Sequence, residues 1–151
     1  MSMKLSPGYR GWLYGTSAAL FVSGVAWVLL HRVSLAQEET ARNWSAVLEP
    51  WMLKLHGAAA MMFLVMIGAL LPIHILKGMA TRKNLASGLV LLGLIGLLTI
   101  TGYALYYLGS DTARSFASAL HTWAGVGAPA FLIWHLLWRE RRPTARSRPR
   151  H

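Results

Sequence analysis

The sequence predicts an all-α integral membrane protein, an up-down bundle of four transmembrane helices with both termini cytoplasmic. Three observations carry that expectation. Hydrophobic residues make up 55% of the 151 and charged residues 13%, about half the usual share in a soluble domain. Four apolar runs each approach or exceed the ~20 residues that cross a bilayer. Lysines and arginines gather at alternate ends of those runs, as they do in membrane proteins.

The runs are Gly11–Leu30, Pro50–Leu76, Leu85–Leu108 and Ser115–Trp138. The first follows Lys4 and Arg10 and precedes Ser34-Leu35-Ala36, which resembles a signal-peptide cleavage site. Its apolar part is long for a signal sequence and is broken by His31-Arg32, so a retained helix is expected. The first linker, Arg32–Glu49, carries Glu38, Glu39 and Glu49 beside Arg32 and Arg42. Within it, residues 37–47 are expected to lie along the outer surface with Trp44 at the interface. The second linker, Lys77–Asn84, holds Lys77, Arg82 and Lys83. The third, Gly109–Arg114, holds Asp111 and Arg114. Six arginines follow Trp138, so residues 139–151 read as a basic, disordered cytoplasmic tail. Short connections place neighbouring helices antiparallel. By the positive-inside rule the second linker and both termini lie in the cytoplasm.

Composition also excludes functions. The net charge of +10 is confined to span ends and the tail, which argues against nucleic acid as a partner and for a lipid surface. Cysteine is absent, so disulfides, thiolate-ligated clusters and thioether-linked haem are excluded. No P-loop, HExxH or nucleophile-elbow motif occurs. The spans contain no Asp or Glu, which weakens a proton or cation relay.

Histidine is the informative residue. Five of six lie in or beside spans: His31, His56, His74, His121 and His135. An ionisable side chain within a span is costly and marks a functional position by default. His56 and His74 are 18 apart in the sequence, five whole helical turns, and so share a face about 27 Å apart. His121 and His135 are 14 apart, within about 40° of four turns and about 21 Å apart. The second and fourth helices run in the same direction. His56 and His121 therefore belong to the outer level, and His74 and His135 to the inner. Pro72 can kink the second helix and help absorb the difference in length. Two facing imidazoles at each level are what a six-coordinate haem iron needs. A single histidine in a span can equally be an interhelical hydrogen-bond partner. Zinc or copper would take imidazole too, but a mononuclear site wants three or four ligands in one cluster. Met61, Met62 and Met66 read as packing residues. His31 reads as an interfacial side chain, with a haem propionate or quinone as its functional partner.

With these pairs the chain resembles the diheme b-type cytochromes, in particular the four-helix cytochrome b and cytochrome b561-like membrane subunits. The resemblance covers residues 10–138. The family's paired glycines on the other two helices are matched by Gly11 and Gly24 on the first and Gly88 and Gly102 on the third. Gly24 and Gly102 would meet the outer haem edge, Gly11 and Gly88 the inner. The resemblance implies two haems b, ligated by His56 with His121 and by His74 with His135. Lys54 and Arg114 would pair with outer propionates, and Arg10, Lys77, Arg82 or Arg139 with inner ones. It implies transmembrane electron transfer in a bacterial inner membrane, within a larger quinone-linked oxidoreductase complex. The partners would be quinone or quinol and a periplasmic cytochrome or dehydrogenase subunit. Trp51, Lys54, His31 and Trp123 are candidates for an outer quinone site. The alternative is a cofactor-free structural or assembly subunit of a membrane complex, its histidines serving as hydrogen-bonded glue.

Overall fold

The computed structural model describes residues 6–36, 44–81 and 85–140, without the side chains of residues 73–85 and 136–140. The side chains of His74, Lys77, Arg82 and Arg139, the segment 37–43 and the tail from residue 141 therefore lie outside the described residues. The described chain is all-helical: α1 (Pro7–Ala36), α2 (Trp44–Thr81), α3 (Leu85–Tyr107) and α4 (Asp111–Glu140). Each contains a stretch long and apolar enough to cross a membrane. The helices outrun the apolar runs at most ends, because the polar residues flanking each span continue its hydrogen-bond ladder. Trp44–Val47, expected in a surface segment, instead form the first turn of α2.

Local chemistry explains the boundaries. Ser6 caps α1 by accepting the Tyr9 N–H at 3.3 Å, and Pro7 follows at the first helical position, where its missing N–H costs nothing. Ser110 caps α4 by accepting the Ala113 N–H at 3.4 Å, with Asp111 in the first turn against the positive end of the helix. Arg114 donates from Nη2 to the Leu108 carbonyl at 2.7 Å, closing the end of α3 across the tight connection. Pro72 and Pro129 sit inside helices. Each lies one turn after a glycine, Gly68 and Gly125, so in both helices the carbonyl that the proline leaves without its helical donor belongs to a glycine.

The burial pattern is the reverse of a soluble protein's. Among the described residues the buried positions are small or hydroxyl-bearing: Thr16, Ser23, Ser45, Ala59, Thr101 and Ala117. Large apolar side chains such as Val22, Met61, Val65 and Ile100 are exposed. This suits a chain whose solvent is hydrocarbon, where small residues let helices approach and large apolar ones face lipid. The buried hydroxyls obey the bilayer's demand that polar groups be satisfied internally. Ser23 donates to the Ala19 carbonyl at 2.6 Å and Thr101 to the Leu97 carbonyl at 2.8 Å, each one turn back on its own helix.

The chain divides near the end of α2 into two compact units, residues 1–77 and 78–151. Each contains a helical hairpin. In the first, Ser34 Oγ meets Ser45 Oγ at 2.8 Å, His31 Nδ1 meets Glu49 Oε1 at 2.7 Å, and Tyr9 donates to the Met66 carbonyl at 2.5 Å. Partner numbers rise on α2 as they fall on α1, so the two are antiparallel. In the second, Ser87 pairs with His135 and Thr101 with His121, again antiparallel.

The turn end of the first hairpin generates a ranking. Ser45 is fully buried, so Ser45→Leu should overpack the interface and cost about 1–3 kcal/mol. The His31–Glu49 pair is partly exposed, so Glu49→Gln should cost at most about 1 kcal/mol. Thermal unfolding in detergent micelles checks the order, and a larger loss for Glu49→Gln would contradict it.

Candidate functional site

Three of the four paired histidines sit in the same kind of seat. The His56 ring on α2 lies against α1, with its Nδ1 3.0 Å from the Leu20 carbonyl and 3.3 Å from Ser23 Oγ. The His121 ring on α4 lies against α3, with Nδ1 2.9 Å from Thr101 Oγ1. The His135 ring, also on α4, has Nδ1 3.0 Å from Ser87 Oγ. In each case the residue after the hydroxyl is a glycine, and the ring edge faces it. A Cβ on Gly24 would stand 3.0 Å from His56 Cε1, one on Gly102 3.2 Å from His121 Cε1, and one on Gly88 4.0 Å from His135 Cε1. The hydroxyl fixes the ring's rotation. The glycine lets the imidazole come against the backbone.

The register of the second hairpin makes the two seats repeat. The step from Ser87 to Thr101 along α3 equals the step from His121 to His135 along α4. Steps of equal length on antiparallel helices place both imidazoles in seats at once, about 21 Å apart along the helix. Leu98, which reaches to 3.8 Å from the Cβ position of Gly125, lies between them in the same register.

The first hairpin is different at the end away from its turn. Among the described residues nothing comes within 4 Å of the Cβ position of Gly11. This glycine lies instead on an open apolar cleft of about 580 Å³ with Gly15, Leu55, Ala59 and Met62. Helical geometry explains this. The step of thirteen from Gly11 to Gly24 turns Gly11 about 140° away from the seat face, whereas a step of fourteen would bring it back to within about 40°. The longer step from His56 to His74, counted back along α1 from Ser23, reaches position 5, ahead of the start of α1 at Pro7. A matching seat for His74 on α1 would therefore lie outside the described residues.

The remaining candidates make local contacts. Lys54 Nζ lies 4.5 Å from the centre of the Trp51 ring, a cation–π contact. Arg114 is on the Leu108 carbonyl. Trp123 is exposed on α4. Met66 takes the Tyr9 hydroxyl on its carbonyl, and its sulfur lies 3.8 Å from Thr16 Oγ1, which fits a packing role. His31 stacks on Trp27 at 4.9 Å and 9° while bonding Glu49. An open cleft of about 370 Å³ beside this pair is lined by Trp27, Ala46, Glu49, Pro50 and Leu53. Among the described residues no three His, Cys, Asp or Glu side chains gather into a metal site.

Comparisons with protein-family models, with curated proteins and with solved structures gave no match.

Ser23, Ser87, Thr101 and Glu49 are not foreseen by histidine spacing. A signal for the first three exists in the sequence. Ser or Thr directly precedes Gly at three places in the chain, 23–24, 87–88 and 101–102, and each is a histidine seat.

The seats differ in tightness, and that orders three substitutions. Gly24→Ala should displace the His56 ring most, Gly102→Ala the His121 ring less, and Gly88→Ala should leave His135 in place. The cost of Gly24→Ala should be about 1–3 kcal/mol, and that of Gly88→Ala within about 0.5 kcal/mol. Unfolding in detergent checks the order, with the histidine ring resonances as a local probe.

Proposed function

We propose that this chain is a transmembrane electron carrier that holds two b-type haems, the outer between His56 and His121 and the inner between His74 and His135. The observation that carries the reading is the repeated seat. Three histidines in three places are each held by Nδ1 and packed on glycine. That is the treatment given to metal-ligating imidazoles, whose second nitrogen is tied to a hydrogen-bond partner. Hydrogen-bonded glue would need no such uniformity.

The donor set fits the group. With Nδ1 engaged, each ring would offer Nε2 to iron. A haem bound between two such rings supplies one-electron chemistry and nothing that the chain itself must catalyse. The chain's part is to place ligands at two depths about 21 Å apart along α4, to surround them with apolar helices, and to keep their rings from rotating. Ser23, Ser87 and Thr101 do the last. Lys54 and Arg114, already ordered by Trp51 and Leu108, are the cations nearest in sequence to the outer histidines that could meet propionates. Arg10, Lys77, Arg82 and Arg139 would serve the inner pair.

On this reading the protein sits in a bacterial inner membrane with both termini cytoplasmic. It passes electrons between a quinone pool and a periplasmic cytochrome or dehydrogenase subunit, as part of a larger oxidoreductase complex. The cleft beside Glu49 and Trp27, with His31 next to it, is the place to look for the quinone.

The purified protein should show a b-type band in its dithionite-reduced minus oxidised spectrum, and a pyridine haemochrome assay should give two haems per chain. A colourless preparation that takes up no added haemin would overturn the reading in favour of a cofactor-free subunit. His121→Ala should remove one haem and His135→Ala the other, each leaving one per chain. A reporter fused to the C terminus should be active only where the enzyme works in the cytoplasm.

A further inference from the structure

Two of the seat hydroxyls, those of Thr101 and Ser23, have their one proton committed to a carbonyl of their own helix. Thr101 directs it to the Leu97 carbonyl at 2.8 Å, with Leu98 further off at 3.3 Å. Towards His121 it can therefore act only as an acceptor, so the Nδ1 of His121 must be the donor. At His56 the argument is independent of any hydroxyl. The Leu20 carbonyl at 3.0 Å from Nδ1 cannot donate, so Nδ1–H is again the donor. Ser23, whose own proton goes to Ala19 at 2.6 Å, accepts the second branch at 3.3 Å. Two rings on different helix pairs are thus held in the same tautomer by helix carbonyls, one directly and one through a threonine.

We propose that Thr101 and Ser23 are positioning residues that hold His121 and His56 with the proton on Nδ1, and so assign Nε2 as the coordinating nitrogen. The hydroxyl works as a relay between two polar groups that neither lipid nor helix could otherwise satisfy. It caps a carbonyl of its own helix and takes the N–H of the neighbouring helix's ring. An N–H···O bond of this kind raises the electron-donating power of the ring's other nitrogen. The proposal deepens the haem reading and rests on it for its consequences at iron. The tautomer itself does not depend on haem.

The test uses the full chain in detergent micelles, with Thr101→Val to remove the acceptor at nearly constant shape and Thr101→Ser to restore it. In the haem-depleted protein, nitrogen-15 NMR should show His121 with a protonated Nδ1 and a pyridine-type Nε2. Thr101→Val should populate the other tautomer, and Thr101→Ser should return the wild-type pattern. The same tautomer in wild type and Thr101→Val would overturn the proposal, as would Nε2–H in the wild type. In protein reconstituted with haemin, Thr101→Val should weaken binding at that site about 10–100-fold and raise the potential of that haem, because a weaker donor ligand stabilises the ferric state less. An unchanged affinity and potential would also overturn it. Wild type that binds no haem but shows the Thr101-dependent tautomer would sink the electron-transfer function alone and leave the positioning role standing.

Discussion

Everything in the two hairpins is arranged around one hydrogen-bonding problem, which is how to keep an imidazole N–H satisfied inside hydrocarbon. Water is absent there, and the helix carbonyls are already used by their own ladder. The carbonyl one turn back along the helix can accept a second bond, and a Ser or Thr hydroxyl uses that spare capacity while turning an acceptor outward. Thr101 does this between Leu97 and His121. His56 shows the same capacity used without an intermediary, its Nδ1 donating straight to Leu20 with Ser23 beside it. The following glycine is part of the solution. At Gly24 and Gly102 a side chain would crowd the ring, since a Cβ would stand 3.0 Å from His56 Cε1 and 3.2 Å from His121 Cε1.

The seat then constrains the rest of each hairpin. The two seats on α3 and the two histidines on α4 share one spacing, Ser87 to Thr101 and His121 to His135. The connection between the helices must set a register with no slip at all, since a shift by a single position turns every side chain by about 100°. Ser110 capping α4 and Arg114 bonding back to Leu108 are the devices that set it. The first hairpin fixes its register by other means, through Ser34 with Ser45 and His31 with Glu49 near the turn and Tyr9 with Met66 at the far end. These polar pairs are directional where apolar contacts are not. In hairpins whose buried positions, among the described residues, are Ala, Ser and Thr, direction has to come from them.

The helices and the common face of His121 and His135 were legible in the sequence because both depend on a single periodicity. Apolar runs measure a bilayer, and the steps between paired histidines measure whole turns. The glycines were half legible. Gly24, Gly88 and Gly102 lie beside His56, His135 and His121, in each case an imidazole on the adjacent helix. Gly11 differs from these three for a countable reason. Its step to Gly24 is far from a whole number of turns, and it opens on an apolar cleft instead. Lys54 and Arg114 could be placed by depth but not by direction. A long cation near the interface takes whichever acceptor or ring is at hand, and here those are Trp51 and Leu108. Glu49 was hidden among linker charges, although it precedes His56 by the same step by which His31 follows Gly24. That step is close to two turns, so each of the two lies on the face of a seat.

Three of the four histidines can be compared atom for atom. A histidine used only to tie two helices together needs one hydrogen bond of any kind, made by whichever nitrogen is nearer. Here all three use Nδ1, all three use a group on the preceding helix of the hairpin, and all three sit against glycine. A bundle selected only for helix association has no reason to distinguish Nδ1 from Nε2, whereas a ligand set must present the same atom at every site. Under the proposed reading, the hydroxyl-glycine dipeptides carry as much of the function as the histidines, because they decide which nitrogen is presented and at what angle.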